Sequence, residues 1–553
     1  MADGALAQGT VEKALECGRF AAGESTSAPK LLRNTGRCGH LPCMDTVHPA
    51  FSTRPQDGNT IDSIVIDNNN IYNTDSSAYN YWPFRLINKL HLKTRRFVIE
   101  REILLKRGEE FSPERAAESE RNLRSLPYIW AASVDFRRNR SNQGILYVTT
   151  SDRWTLLGGV SINRSGGRNI YEFRIEESNF LGRGQYVSFN YFSRNQEEDY
   201  YQFAAVERRV FGSRNMLSFY VNSDPEIGQE NIGLSRPFYS FDSKLSYLIN
   251  HAKINRYDYY YKDGILMAQN KAYGEIYELE SVYRWGGYAS KAFAGVEYQF
   301  RKLDFFSEQG DGFVFPTDSS YYGINLKFGL VNEKYIKATH LNSFQRIEDV
   351  LIQTGGVLTH GWYSDHNSRK LYDLLSFVFN YSNSVGSNLF FATFGRKYWY
   401  DGNIDFRKQL ILSIKYYNNA YVWMTQAFYA VYQEDWRRDN NELLYLGESF
   451  GIRGYPKNYL NGGKILRSNW ETRFFPGIRI MGVDIGMAQF IDIGQIAAQN
   501  RDIADGRFLW SAGCGLRIGT ERIASKDILR IDLAYAGRLK KWEISIGSGQ
   551  FIR

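Results

Sequence analysis

The stretch from Gly447 to Tyr459, GESFGIRGYPKNY, contains the spacing with which hydrolases expose a nucleophilic serine. Gly447, Ser449 and Gly451 form G-x-S-x-G. A catalytic version of this motif needs a strand, a sharp turn and a helix, with a histidine and an acid that activate the serine. Here a long loop lies on one side of Ser449 and a strand on the other, and the seven histidines form no recognisable partner motif. We therefore predict that the chain is not an enzyme and has no catalytic residue.

A group of cysteines and histidines near the N-terminus could ligate a metal ion. The group consists of Cys17, Cys38, His40, Cys43 and His48. Its spacing matches no standard zinc pattern, which favours a disordered tail that happens to hold three cysteines. Four cysteines in 553 residues also give no disulfide framework. We expect neither a bound metal nor a cofactor.

The residues that follow Ser449 include Arg453, which points to binding rather than to hydrolysis. Strand alternation in the segment KILRSNWETRFF puts Trp470 on one face and Glu471 on the opposite face. In the next strand, alternation puts Asp492 opposite the apolar face. Because one guanidinium can bridge two carboxylates with paired hydrogen bonds, we predict that Arg453 contacts Glu471 and Asp492. The alternative is that these groups are solvated charges without mutual contact.

The composition of the chain favours strands as the elements that position these residues. Aromatic residues make up 16% of the chain, whereas proline occurs only 12 times, and aromatic side chains pack well on a pleated sheet. No segment approaches the roughly 18 apolar residues of a membrane-spanning helix, which excludes helical membrane proteins but not barrels. The 68 basic and 60 acidic residues are interspersed, so we expect no nucleic-acid binding.

From Trp154 to the C-terminus, apolar residues alternate with small, polar or charged ones. The segments QYVSFNYF, FLWSAGCGLRIG and DILRIDLAYAG each have one apolar face. A soluble β-sandwich and a membrane barrel both fit this alternation. Residues 154–553 exceed the length of one sandwich, and closure removes exposed sheet edges. The chain is therefore predicted to be mainly β, with a transmembrane antiparallel β-barrel, and a soluble all-β protein is the alternative.

The number of strands follows from counting the alternating segments. There are about twenty, of which fifteen precede and five follow a long segment at 433–461 where the alternation breaks. A range of sixteen to twenty strands is predicted, with a short turn at Pro476-Gly477 between the first two strands after the loop. A loop of nearly thirty residues is unusual in a compact structure, which indicates a functional role.

The N-terminal part of the chain has a different pattern. Residues 1–59 contain no apolar periodicity and no visible signal peptide, so they are predicted to be disordered or a mis-assigned leader. Residues 60–153 predict the order strand, helix, helix, strand, strand. The first helix is predicted over Arg95–Lys106, and Ser112 is the predicted N-cap of the second. This order is typical of a small α+β domain with helices on one face of a sheet.

Several of these motifs, as a set, resemble the outer-membrane protein assembly factor superfamily, also called the bacterial surface antigen family. The resemblance rests on IRGY, which contains Arg453, Gly454 and Tyr455, and on residues in the strands that follow the loop. The additional motif residues are Gly462, Gly463, Glu471, Phe490, Asp492 and Gly494. EESNFLGRG at 176–184 and the two helices of residues 60–153 also resemble segments of this family.

The resemblance implies a barrel of usually sixteen strands after one small polypeptide-transport-associated (POTRA) domain at 60–153. It implies that the loop at 433–461 folds into the barrel, where its Arg-Gly-aromatic tip binds acidic residues of the wall. The family's last strand commonly ends on an aromatic residue, whereas here Phe551 is followed by Ile552-Arg553.

The resemblance also implies a function and a location. These are insertion or translocation of polypeptides in the outer membrane of a Gram-negative-type bacterium, with the small domain in the periplasm. The implied partners are outer-membrane lipid, unfolded outer-membrane or secreted client polypeptides, and accessory subunits. A passive or gated outer-membrane pore, and a soluble β-rich binding protein, are the alternative functions.

Overall fold

A computed structural model describes residues 60–552, except 78, 166–167, 195–197, 226, 263–264, 310–318, 367–369, 403, 438–443, 449–450, 457, 521 and 525–527. The predicted leader at 1–59, with its cysteines and histidines, lies outside the described residues. No helix in the described part of the chain is long and apolar enough to cross a membrane.

The first unit is a three-stranded sheet with three helices. Its elements, in chain order, are β1 (Ser63–Asn69), α1 (Trp82–Leu90), α2 (Arg96–Glu100), α3 (Pro113–Ser125), β2 (Ile129–Arg138) and β3 (Gly144–Asp152). The strand order is β1-β3-β2, with β1 parallel and β2 antiparallel to β3. Its core contains Ile99, Leu123 and Leu146, which are fully buried. Ser112 caps α3, since its side chain accepts a hydrogen bond from the amide of Arg115.

The helix predicted over Arg95–Lys106 is shorter in the structure, because α2 ends at Glu100. The amide of Leu104 donates to Ser119 Oγ on α3 at 2.8 Å, and its carbonyl accepts a hydrogen bond from Arg115. Contacts with α3 therefore replace the helical hydrogen bonds that the apolar spacing favoured. Helix α1 was not predicted.

The second unit is a closed barrel of twenty antiparallel strands. The strands before the loop are β4 (Leu156–Ser165), β5 (Arg168–Phe180), β6 (Gln185–Arg194), β7 (Tyr200–Glu207), β8 (Met216–Asn222), β9 (Ile227–Arg236), β10 (Leu245–Lys262), β11 (Ile265–Gly286), β12 (Ser290–Gln309), β13 (Ser319–Ala338), β14 (Glu348–Asp365), β15 (Leu371–Val385), β16 (Asn388–Asp401), β17 (Ile404–Tyr421) and β18 (Met424–Arg437). Two short strands, β19 (Leu444–Leu446) and β20 (Leu460–Gly462), pair with each other inside the loop. The barrel continues with β21 (Lys464–Ile480), β22 (Val483–Ala497), β23 (Arg507–Gly519), β24 (Ile528–Ala536) and β25 (Lys541–Ser548).

The strand count by alternation is confirmed, and the sixteen strands expected from the family are wrong for this chain. Fifteen barrel strands precede the loop and five follow it, as the alternating segments predicted. Alternation counts the strands of this particular sequence, whereas sixteen is the usual strand number of the family that the chain resembles.

The turn predicted at Pro476-Gly477 is also wrong. Strand β21 continues to Ile480, and the hairpin turns at Met481 and Gly482, which have φ of 49° and 82°. The pairing of β21 with β22 is irregular between Phe474 and Ile478. A proline lacks the N–H that a regular ladder needs, but a bulge accommodates it without ending the strand.

The two faces of the barrel wall differ as the alternation predicted. Many outward residues of β21 and β22 are large and apolar, and Trp470 and Met487 are 52% and 54% exposed. Most inward residues of the same strands are buried, and they include the charged Glu471 and Asp492, which are fully buried. An apolar band that faces outward all along these strands is the arrangement of a transmembrane barrel.

The N-terminal unit packs against one end of the barrel, which we call the domain end. Arg124 on α3 donates two hydrogen bonds to Asp349 at the start of β14, at 2.9 and 2.6 Å. Glu118 on the same helix accepts hydrogen bonds from the Phe241 amide at 2.7 Å and the Tyr288 hydroxyl at 3.2 Å. Helix α3 is therefore held at three places on the barrel, which are the β9–β10 connection, the β11–β12 turn and the start of β14.

Candidate functional site in the barrel lumen

The long loop begins at the barrel end opposite the N-terminal unit, because β18 starts at the domain end and runs away from it. The alternation was predicted to break at residue 433, but β18 extends to Arg437. Ser449, the middle residue of G-x-S-x-G, lies outside the described residues.

Apolar contacts hold the loop against the inner wall. Leu446 and Ile452 are fully buried, and Tyr455 and Leu460 are 2% exposed. These four residues pack in one cluster with inward residues of the wall, which are Ile465, Ile496, Leu509 and Ala536. Burial of these side chains inside the lumen contributes to the inward position of the loop.

Arg453 lies at the centre of the loop and is fully buried. Its Nε and Nη2 atoms donate to the two carboxylate oxygens of Asp492, each at 2.8 Å. Its Nη1 donates to Glu471 Oε2 at 2.9 Å, and its backbone amide donates to Asp492 Oδ2 at 3.1 Å. The structure therefore brings together Arg453, Glu471 and Asp492. The side chain of Arg453 makes a bidentate contact with Asp492 and a single hydrogen bond to Glu471.

Two aromatic rings also contact the Arg453 guanidinium. The Phe490 ring centre lies 3.4 Å from Cζ, and the Phe551 ring centre lies 4.0 Å from it. A cation over an aromatic face is attracted by the ring quadrupole, and the attraction is stronger when water is excluded. Phe490 comes from β22, whereas Phe551 comes from the C-terminal tail.

Further charged residues surround the three predicted ones, and we call the whole set the arginine cluster. Its members are Arg453, Glu471, Arg473, Asp492, Arg517, Arg530 and Asp532. Asp532, which was not predicted as a site residue, accepts from Arg517 at 2.6 Å and lies 3.4 Å from Arg453 Nη1. Strand alternation in DILRIDLAYAG puts Asp532 on the polar face, and this pattern could have indicated it as a site residue.

The electrostatics of the arginine cluster favour a permanent cation on the loop. Burial by itself lowers the pKa of Arg453, but Asp492 and Glu471 more than offset that effect, so the pKa of Arg453 is raised above its ordinary value. Arg453 therefore holds its proton at all relevant pH values, and the contact is suited to binding rather than to proton transfer.

Gly454 and Tyr455 complete the tip of the loop. Gly454 has φ of +82°, and a Cβ there would lie 3.1 Å from Ala534 Cβ on β24, so both its conformation and its space favour glycine. The Tyr455 hydroxyl donates to the Trp510 carbonyl at 3.0 Å and accepts from the Arg538 amide at 3.0 Å. Tyr455 thereby joins the loop to β23 and to the turn after β24.

The three motif glycines lie where the loop and the wall approach closely. A Cβ on Gly462 would lie 2.5 Å from the Ala497 carbonyl oxygen, and one on Gly463 would lie 2.5 Å from Gln499 Cβ. A Cβ on Gly494 would lie 2.9 Å from Ile452 of the loop. Gly494 therefore leaves room for the loop inside the barrel.

Two further segments reach the arginine cluster from the domain end. Arg473 donates hydrogen bonds to the carbonyls of Leu341, in the β13–β14 connection, and of Ile552, in the C-terminal tail. Gln550 accepts from Arg517 Nε at 3.1 Å. The loop, the β13–β14 connection and the tail thus meet on the inner face of β21, and no pattern in the sequence indicates this meeting.

Comparisons with known proteins find similarity only at the level of structure. No protein-family model and no curated protein sequence matches the chain. The crystal structure of BamA from Haemophilus ducreyi lacking POTRA domains 1–3 is similar, with 14% identity, 88% of this chain and 83% of that chain covered, and a TM-score of 0.39. CdiB from Acinetobacter baumannii has 11% identity, 89% and 74% coverage and a TM-score of 0.43. CdiB from Escherichia coli has 11% identity, 91% coverage of both chains and a TM-score of 0.44. The chain is therefore similar to these three structures, at sequence identities of 14%, 11% and 11%.

Proposed function

We propose that this protein is an outer-membrane barrel that inserts polypeptides into the membrane or translocates them across it, without enzymatic chemistry. The observation that carries the proposal is the buried contact of Arg453 with Asp492 and Glu471, which fixes a long loop inside the lumen. A barrel that served only as an open channel has no need of a charged loop tip bound at this depth.

The N-terminal unit, residues 60–153, is the proposed POTRA domain and the first contact for a client. Strand β2 pairs with β3 on one side and forms an edge of the sheet. An unfolded polypeptide can add a strand to such an edge, because its backbone completes the hydrogen-bond ladder without a sequence requirement. The proposed partners are therefore extended client polypeptides, with accessory subunits as further binders of this domain.

The loop supports the wall through which the client passes. Arg453 contacts residues of three strands, since Glu471 lies on β21, Asp492 on β22 and Asp532 on β24. A single side chain thereby ties together the part of the wall nearest the boundary between β25 and β4. In this proposal the client uses that boundary or the lumen, and the loop keeps the adjoining strands in register.

A passive or gated pore is the second candidate function. The β13–β14 connection and the C-terminal tail both enter the lumen, as the hydrogen bonds from Arg473 to Leu341 and Ile552 require. These segments and the loop occupy the path that a permanently open pore needs, which favours a gated channel within this second candidate.

The test uses the full chain in lipid vesicles. An unfolded outer-membrane protein is added, and its acquisition of protease resistance is followed in vesicles with and without the protein, while conductance is recorded in planar bilayers. Faster folding of the client in the protein-containing vesicles is expected. Steady conductance without any acceleration of client folding would contradict the assembly function and support the pore.

A further inference from the structure

Helix α1 carries an apolar stripe that faces away from the rest of the protein. Trp82, Leu86 and Leu90 are spaced four residues apart and therefore share one face of the helix. They are 76%, 44% and 61% exposed. Tyr81 and Leu92, at the two ends of the helix, are also exposed, at 61% and 60%. Large apolar residues exposed together in this way mark a surface that binds something.

The opposite face of α1 is fixed to the barrel. Phe84 is buried with Ile71 and Tyr72, and Trp154, just before β4, packs against them. Tyr79, just before α1, accepts a hydrogen bond from Arg479 of β21 at 3.2 Å. The exposed stripe therefore has a set position relative to the barrel wall.

That position is at the domain end of the wall, beside the turn between β21 and β22. A Cβ on Gly482 of this turn would lie 3.6 Å from the Phe84 ring. The neighbouring outward residues of β21 are Ile478 and Ile480, which are 49% and 58% exposed and belong to the apolar band of the wall. Met481 of the turn itself is 74% exposed. The stripe of α1 is thus adjacent to the band that faces lipid.

The charge around α1 fits a phospholipid surface. Residues 76–99 contain five basic residues and no acidic residue. Two of them, Arg85 and Lys89, lie on α1 and are exposed. Basic side chains that flank an exposed apolar helical face are typical of helices that lie at a membrane surface, where they contact phosphate groups.

We propose that α1 is an interfacial membrane helix, whose stripe of Trp82, Leu86 and Leu90 enters the lipid leaflet at the domain end of the barrel. Arg85 and Lys89 contact the phosphate groups of that leaflet. The helix fixes the N-terminal unit to the membrane next to the start of β4. This inference does not depend on the proposed function, because it concerns lipid contact alone.

The test places an environment-sensitive fluorophore on single cysteines in the full chain, with the four native cysteines replaced. The labelled variants are Leu86→Cys and Leu90→Cys on the stripe, Ile480→Cys on β21 as the lipid-facing control, and Ser141→Cys in the exposed β2–β3 turn as the aqueous control. Each is reconstituted in vesicles of phosphatidylethanolamine and phosphatidylglycerol, with or without lipids that carry a nitroxide quencher on the acyl chain.

We expect the labels at 86 and 90 to be quenched to the same extent as the label at 480, and the label at 141 not to be quenched. Labels at 86 and 90 that remain as bright as the label at 141 would overturn the proposal and indicate that α1 is exposed to water or binds a protein. Heat-dependent mobility on a denaturing gel establishes that every variant holds a folded barrel.

Discussion

At the scale of single residues, the arginine cluster depends on features that only arginine provides. Arg453 makes a bidentate contact with Asp492, a third hydrogen bond to Glu471 and close contacts with two aromatic rings. A lysine is a point charge on a flexible chain, so it can satisfy only part of this set. A positive charge at the loop tip is therefore necessary for these contacts, but charge alone does not reproduce them.

We expect the amides of the loop to be best protected from hydrogen exchange in the wild type, less protected in Arg453→Lys and least protected in Arg453→Ala. Removing one partner of a buried ion pair costs about 3–5 kcal/mol, because the remaining charges stay buried without it. Hydrogen–deuterium exchange of the amides at 451–460 measures this loss. Lys464→Ala, on the same strand as Glu471 but outside the arginine cluster, is the control, and equal protection in all variants would show that Arg453 does not hold the loop.

The two aspartates around Arg453 are expected to contribute unequally. Arg453 lies 2.8 Å from both oxygens of Asp492, but its shortest contact with Asp532 is 3.4 Å, and Asp532 has Arg517 as a closer partner. Double-mutant cycles of Arg453→Ala with Asp492→Asn and with Asp532→Asn measure the two coupling energies from unfolding in denaturant. Close charge pairs couple by about 1.5–7 kcal/mol, and we expect only the Asp492 cycle to reach that range. A larger coupling for Asp532 would mean that the loop is held mainly by β24.

The sequence allowed some of these residues to be predicted and not others. The contact of Arg453 with Glu471 and Asp492 follows from strand parity, because alternate residues of a strand share a face. Asp532 faces the same way by the same rule, but nothing in its spacing joins it to the loop. Phe551 could not be predicted, since its contact arises from a tail that leaves the strand pattern after Ser548.

At the scale of elements, the C-terminal tail is part of the arginine cluster. Phe551 contacts Arg453, and the Ile552 carbonyl accepts a hydrogen bond from Arg473. Ile552 is 3% exposed and packs with Leu341 and Tyr417. The tail therefore turns into the lumen after β25 instead of continuing along the wall.

We expect Phe551→Ala to weaken the loop contact more than Phe551→Leu does. The alanine removes both the apolar contact and the cation–π attraction, which is worth about 2 kcal/mol when water is excluded, whereas leucine removes only the second. Thermal unfolding in detergent measures the effect of each variant on stability, and hydrogen–deuterium exchange of the amides at 451–460 measures its effect on the loop. Identical behaviour of the alanine and leucine variants would contradict this expectation, because it would mean that the apolar contact contributes nothing.

Element boundaries were harder to predict than the elements themselves. Strand β21 continues past Pro476-Gly477, where a turn was predicted, and α2 ends at Glu100, within a predicted helix. In both places, contacts with another part of the chain decide the boundary. Strand β21 resumes pairing at Ile478, and the amide of Leu104 pairs with Ser119 instead of with its own helix. Neither partner is visible in the local sequence.

At the scale of the whole molecule, we expect pH to act on the docking of the N-terminal unit through Glu118, because its carboxyl group lies at the contact with the barrel. Burial raises the pKa of Glu118, and Arg121 and the hydrogen bonds from Phe241 and Tyr288 offset this only in part, while Asp242 adds to it. A carboxyl whose pKa is raised on docking favours the docked state below its ordinary value of 4.5, and that contribution is lost as the pH rises through the raised pKa.

We therefore expect docking to strengthen as the pH falls from neutral toward 4.5, and Glu118→Gln to remove this dependence. Distances between spin labels on the N-terminal sheet and on the barrel rim, measured across this pH range, report the docked fraction. Arg124→Ala, which breaks the contact with Asp349 but keeps Glu118, is the matched variant and should lower docking at every pH. An unchanged docked fraction in wild type across the range would exclude Glu118 as the pH-sensitive group.

The number of strands was the most predictable property of the whole molecule, because each wall crossing repeats the same alternation. Closure of the strands into a barrel follows from length and from the cost of exposed edges, whereas the inward fold of the loop was implied by the family resemblance. The position of the N-terminal unit was not predictable, since it rests on isolated contacts such as that of Arg124 with Asp349.

The central claim is that the barrel acts on polypeptides only when Arg453 holds the loop inside the lumen. The most direct measurement is the rate at which an unfolded outer-membrane protein becomes protease-resistant in vesicles that contain equal amounts of wild type or Arg453→Ala. We expect the variant to keep the heat-dependent gel mobility of a folded barrel but to fold the client no faster than empty vesicles do. A variant as active as wild type would contradict the account.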